Sequence, residues 1–112
     1  MHELSKSFIF EAAHTLHRQI DADPSRRIHG HSYRAVVTLR GSPDENSGML
    51  IDLGLVNREI ERVRALVDHR FLDEVHGLGP ATLENLCSFL WQQFSSRFSG
   101  LVEVTVSRES CR

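Results

Sequence analysis

Arg27-Ile28-His29-Gly30-His31-Ser32-Tyr33 holds two histidines separated by one glycine. From His31 onward the chain alternates. Tyr33, Ala35, Val37 and Leu39 fall on one face and Arg34, Thr38 and Arg40 on the other, the pattern of a strand with one buried side. His29 and His31 share the parity of the apolar face, so both imidazoles point that way. Gly30 is expected to admit another backbone or to relieve a bend. Two imidazoles at i and i+2 make half of a zinc site, and His14 is the candidate for the third ligand. It ends Ser7-Phe8-Ile9-Phe10-Glu11-Ala12-Ala13-His14, a second strand-like run in which Phe8, Phe10, Ala12 and His14 share a parity. If the two strands pair, three rings meet above one apolar floor. Three neutral imidazoles with one open position are the ligand set of a catalytic zinc rather than a structural one. Any one of these histidines alone reads more readily as a packed or hydrogen-bonded side chain.

Outward from these strands, the first runs from about residue 4 to 13 and the second from 29 to 41. Residues 15–27 contain Pro24, two aspartates and three arginines without a period and read as a loop. A loop between metal ligands is placed to close over a substrate, and its Arg18, Arg26 and Arg27 suit a phosphorylated ligand. Ser42 to Gly48 is turn chemistry throughout. Asp52 then stands at the start of a helix whose stripe is Leu53, Val56, Ile60, Val63 and Val67. The stripe ends at Asp68-His69. Residues 71–80 form a connector. Thr82 caps a second helix with Leu83, Leu86, Leu90, Phe94 and Phe98 inward, and Gly100 is expected to stop it. Val102, Val104 and Val106 form a last strand. The order is strand, strand, helix, helix, strand: an α+β fold with an antiparallel sheet, two helices on one side and sheet edges left to pair with another chain.

Composition is ordinary for a globular protein. With 112 residues the chain reads as a single domain, 1–112. It is 40% hydrophobic and 25% charged. A net charge of -2 gives no electrostatic argument for nucleic acid or an anionic membrane surface. No apolar run approaches the ~20 residues that span a bilayer. No basic start followed by an apolar stretch marks a signal peptide. Cys87 and Cys111 are too few for a disulfide framework and read as free thiols of a cytoplasmic protein.

Five short motifs occur in one order: Phe10-Glu11-Ala12-Ala13-His14, His29-Gly30-His31-Ser32, Gly48-Met49-Leu50-Ile51-Asp52, Leu66-Val67-Asp68-His69 and Thr82-Leu83-Glu84-Asn85-Leu86. In this the chain resembles the 6-pyruvoyl-tetrahydropterin synthase / 6-carboxy-5,6,7,8-tetrahydropterin synthase family from about Phe8 to Glu109. Its short form is more similar to the 6-carboxy branch, which serves queuosine and other deazapurine pathways. The resemblance implies the tunnelling fold, in which subunit sheets join into a barrel and trimers stack into a hexamer. It implies Zn2+ on His14, His29 and His31, a small-molecule pterin as substrate, and a homo-oligomer. In the family a further strand usually follows the last one, whereas this chain stops three residues past Glu109.

Zinc at three imidazoles polarises vicinal oxygens and makes a neighbouring C–H bond more acidic, a step that needs bases beside it. Asp68 beside His69 can orient that ring. Read from the residues alone, His69 is more readily a helix-terminal histidine facing the macrodipole. The resemblance makes Asp68 and His69 the catalytic pair. A carboxylate suits the adjacent donors of a pterin edge, and the resemblance gives that anchoring role to Glu109. The chain departs from the family at Ser25, which stands where a cysteine is usual. A thiol with a pKa near ~8.5 yields a thiolate readily, whereas a serine needs an adjacent base, with His69 one option. The expected activity is conversion of 7,8-dihydroneopterin triphosphate to 6-carboxy-5,6,7,8-tetrahydropterin, with acetaldehyde and triphosphate released. The alternatives are a related side-chain eliminase or aldolase, and a paralogue that binds zinc and pterin without turnover.

Overall fold

The structure, a computed structural model, describes residues 1–17 and 26–108. Strand β1 spans His2–His14 and β2 spans His29–Gly41. Helix α1 is Leu53–Val67, followed by the two-residue strand β3, Arg70–Phe71, and a 3-10 turn at Leu72–Glu74. Helix α2 is Leu83–Ser95, and β4 is Leu101–Arg108. The four-stranded sheet has the order β3-β1-β2-β4. β1 and β2 are antiparallel, as are β2 and β4, while β3 runs parallel to β1 at Ala12 and Ala13. The sequence pattern showed three strands. The fourth escaped it because two residues are too few to display a period.

Alternation decides the faces. Phe8, Phe10 and Ala12 of β1 lie opposite Ala35, Tyr33 and His31 of β2; all of these are buried except His31, which is partly exposed. The Phe10 and Tyr33 rings stack with centroids 5.0 Å apart, and the small Ala35 leaves room opposite Phe8. Both helices cover this side. Val56, Ile60, Val63 and Val67 of α1 and Leu86, Leu90 and Phe94 of α2 join the strand residues in one core cluster. Leu53, expected in the α1 stripe, is instead 49% exposed. Asp52 accepts from Gly54 N–H at 2.8 Å and Thr82 from Asn85 N–H at 3.1 Å, so both helices start at the predicted caps.

Two expectations about glycines need correction. Helix α2 ends at Ser95, well before Gly100. Gly100 is required for another reason: a Cβ there would come 2.8 Å from the Arg40 carbonyl oxygen, where Arg40 N–H donates to Gly100 O at 2.8 Å. At Gly30 a Cβ would meet only Ala12 O, at 3.6 Å, an ordinary contact, so no close backbone approach exists there. The β2–β4 register shifts between Thr38 and Leu39, which turns Val102 outward (40% exposed) while Val104, Val106 and Arg108 fall opposite Val37, Ala35 and Tyr33. No described helix is long and apolar enough to cross a membrane.

Gly100→Ala should therefore destabilise the protein by about 1–3 kcal/mol, because backbone rather than a flexible side chain must yield. Urea denaturation of the two proteins checks this. An unchanged midpoint would mean that the β2–β4 junction relaxes freely.

Candidate metal centre

The β1–β2 register builds the centre. His14 is paired directly with His29, and Ala12 with His31, so His31 is the diagonal neighbour of His14 on the same face. The ring centroids lie 4.6 Å apart for His14–His29, 4.9 Å for His14–His31 and 4.9 Å for His29–His31, with the planes steeply inclined to one another. Each ring offers one nitrogen, and these atoms lie within 4.8 Å of one another. Tyr33 sets its edge against His14 and His31 from the core side.

The tautomers follow from the partners. His14 Nδ1 lies 2.8 Å from the Ala81 carbonyl and His29 Nδ1 lies 2.7 Å from the Arg27 carbonyl. A carbonyl only accepts, so both Nδ1 atoms carry hydrogen, and in a neutral ring that leaves the lone pair on Nε2. His14 is 1% exposed, and its Nε2 is buried without a hydrogen-bond partner. Such an orphan needs a reason, and a metal ion supplies one. The third ring differs. Arg108 Nη1 donates to His31 Nε2 at 3.0 Å. Burial, and then the Arg108 charge and the other two rings, push His31 down to about 4. Burial outweighs the Ala81 bond and lowers His14 as well. Both are neutral at pH 7, the form in which imidazole binds a metal. The donor set, the tautomers and the orphaned nitrogen fit a Zn2+ held by His14, His29 and His31.

Neighbouring bonds hold the scaffold. Thr15 N–H donates to Asp73 Oδ1 at 2.9 Å and its hydroxyl to Asp73 Oδ2, clamping the chain just after His14 onto the 3-10 turn. The end of α1 docks on Glu11: its N–H donates to Asp68 Oδ1 at 2.9 Å, and its carbonyl accepts from His69 N–H at 2.6 Å. Asp68 also pairs with Arg64 at 3.1 Å and accepts from His69 Nδ1 at 3.0 Å. These partners, the Glu11 N–H first, hold its carboxyl below the usual value. His69 has φ 57, left-handed backbone, and its side chain is 77% exposed. An open cavity of about 500 Å³ is lined by His31, Ser32, Glu11, His69 and Arg70 among others. It joins the Asp68–His69 pair to one edge of the histidine cluster.

Of the residues singled out in the sequence, His14, His29 and His31 are brought together, and Asp68 and His69 bond to each other beside the same cavity. Ser25 and Glu109, with Arg18 and Cys111, lie outside the described residues. Sequence reasoning missed the Ala81 and Arg27 carbonyls, since any residue supplies one, and it missed Asp73 and Arg108. Arg108 had a signal: it continues the inward parity of Val104 and Val106.

Asp68→Asn keeps an acceptor for Glu11 N–H but loses the charge. The wild-type carboxylate has a folded pKa below its ordinary 3.8, so its stabilising effect is complete above that value and is lost as pH falls through the folded value. Urea midpoints should favour the wild type at pH 7 and converge with the variant as pH falls through the folded value, below the ordinary 3.8. A constant gap across that range would show that the charge contributes nothing.

Comparison with known proteins agrees with this fold. The profile of the family described as 6-pyruvoyl tetrahydropterin synthase matches residues 3–112. A Caenorhabditis elegans relative is 34% identical over 113 residues, covering 87% of this chain and 81% of its own length. The solved structure of Caenorhabditis elegans 6-pyruvoyl tetrahydropterin synthase superposes with a TM-score of 0.80 at 30% identity, over 94% of this chain and 86% of that one. A Synechocystis protein named 6-carboxy-5,6,7,8-tetrahydropterin synthase is 30% identical over 92 residues, covering 77% of this chain and 69% of its own length. With its α+β sheet, its two helices and a family match that runs almost from end to end, the chain belongs to the 6-pyruvoyl tetrahydropterin synthase family, a family of enzymes that process pterins.

Proposed function

We propose that this chain is a zinc-dependent carbon–carbon lyase that converts 7,8-dihydroneopterin triphosphate and one water to 6-carboxy-5,6,7,8-tetrahydropterin, releasing acetaldehyde and triphosphate. The observation that carries the reading is the set of three converging imidazoles, with His14 Nε2 orphaned at their centre, beside a cavity that reaches the Asp68–His69 pair. The Synechocystis relative bears the name of that activity. His14, His29 and His31 would hold Zn2+, which supplies Lewis-acid polarisation of the side-chain oxygens when bound. His69, with Nδ1 held by Asp68, offers its other ring nitrogen to the cavity for proton transfer. The fixed charge of Asp68 keeps that ring oriented. Glu109 would anchor the pterin ring through its donors. Ser25 stands at the family's cysteine position and would need a base to act. A cytoplasmic homo-oligomer, trimer or hexamer, fits the open edge of β4 and the length of β1 that β3 leaves uncovered, and a deazapurine route such as queuosine synthesis would use the product.

A second reading has its own support. The Caenorhabditis elegans structure that superposes on this chain is a 6-pyruvoyl tetrahydropterin synthase. The serine at position 25 is the point at which the reaction would be redirected to a related side-chain elimination. The products decide. Zinc-loaded protein with dihydroneopterin triphosphate should release acetaldehyde in step with triphosphate. Triphosphate without acetaldehyde would establish the eliminase, and tight pterin binding with neither product would establish a binding paralogue. In the lyase reading His69→Ala should lower kcat by about 10²–10⁴-fold, the usual worth of a positioned acid–base group, with zinc content unchanged. An unaltered rate would remove His69 from the chemistry. Ser25→Ala with an undiminished rate would do the same for Ser25.

A further inference from the structure

The hydrogen bond from Arg108 to the third imidazole is not needed for the chemistry above, and it bears on how the site acquires its ion. Arg108 Nη1 lies 3.0 Å from His31 Nε2. Arg108 ends β4 on the inward-facing parity, opposite Tyr33, whose own edge meets His31, so the strand aims the guanidinium at this ring. The other two rings are treated differently. Both spend Nδ1 on a backbone carbonyl, which leaves Nε2 for a ligand. One lone pair cannot serve an N–H donor and a metal at the same time. An arginine stays protonated at any working pH, so the competitor cannot be removed by titration. It can only be moved.

Resting on the metal reading of the three histidines, we propose that Arg108 is a built-in competitor for the metal, holding the His31 lone pair until an ion of sufficient affinity displaces it. Two effects add. The charge-assisted hydrogen bond must be broken, and a divalent ion must be accepted beside a like charge in a partly buried place. Both belong to the chain and not to the ion, so they weaken every divalent metal by a similar factor. Weakly held ions such as Mn2+ or Fe2+ then fall below useful occupancy before Zn2+ does. The arginine thus sets an affinity threshold that three imidazoles alone do not provide. Once displaced, the guanidinium remains tethered at the end of β4 and returns when the ion leaves.

The test uses the full-length chain, freed of metal by a chelator and dialysed. Zn2+ affinity is read by competition with a chromophoric chelator, and Co2+ binding by its visible absorption bands, which report coordination without reference to activity. Arg108→Met should bind both ions about 10- to 100-fold more tightly than wild type, given the worth of a charged hydrogen bond. Arg108→Gln should tighten both in the same direction and serves if the Met variant fails to fold. Arg58→Gln, on the exposed face of α1, removes the same charge elsewhere and should leave both affinities unchanged. Equal or weaker binding by folded Arg108 variants overturns the proposal while leaving the metal site intact. Equal tightening by Arg58→Gln overturns it in favour of net charge. Absence of stoichiometric metal in every variant overturns both this inference and the zinc reading. Metal bound only by the Arg108 variants supports the competitor and speaks against a zinc-loaded native chain.

Discussion

Thirteen residues of β1 pair with thirteen of β2 without a break, from His2 opposite Gly41 to His14 opposite His29. That register is the constraint on which the molecule depends. It places Phe8 and Phe10 against Ala35 and Tyr33 and so forms the floor that both helices cover. It also puts two imidazoles in one cross-strand pair and the third diagonal to them. A slip of one residue would send one strand's apolar side chains to the open face and scatter the histidines between the two faces. Core and centre are therefore specified by one pairing. The hydrophobic burial that stabilises the register also brings the three rings together.

Orientation is a separate matter, and backbone carbonyls settle it. Ala81, just before the Thr82 cap of α2, accepts from His14, and Arg27, just before β2, accepts from His29. The first links the centre to the helical layer, because the loop that supplies the carbonyl is fixed by the start of α2. Burial then keeps two of the rings neutral. His14 and His31 lie in surroundings that disfavour an imidazolium, and Arg108 adds its charge against protonation of His31. A cation that repels a proton from a ring also repels a metal ion. The same contact preserves the ligand form of His31 and opposes its use.

Much of this was legible in the residues. Parity alone placed His14, His29 and His31 on one face, and the two caps, Asp52 and Thr82, stood where the structure has them. What escaped reading did so for identifiable reasons. β3 is two residues long and owes its existence to the docking of Asp68 and His69 on Glu11, a tertiary event with no local period. Val102 kept the alternation of its strand yet faces outward, because it is the extra residue of β4 at the Thr38/Leu39 shift, between Glu103 opposite Thr38 and Leu101 opposite Leu39. Gly100 looked like a helix stop and is in fact a point of close passage for Arg40. In each case the deciding atom belongs to a distant segment, and composition near the residue carries no trace of it.

The conformation of His69 bears on what that residue is for. A left-handed backbone is uncommon outside glycine, although histidine tolerates it better than most. Here φ 57 follows the last turn of α1, where glycine would satisfy the helix end with less strain. Glycine would also keep the N–H that bonds the Glu11 carbonyl and leave the Asp68 carboxylate on the Glu11 N–H. The docking of α1 on β1 thus needs no imidazole at this position. What the imidazole adds is an exposed ring, held by Asp68 at Nδ1, on the wall of the cavity that His31 also lines. A strained residue whose side chain contributes little to packing, and whose orientation is fixed by a charged neighbour, is what the acid–base role proposed for His69 requires.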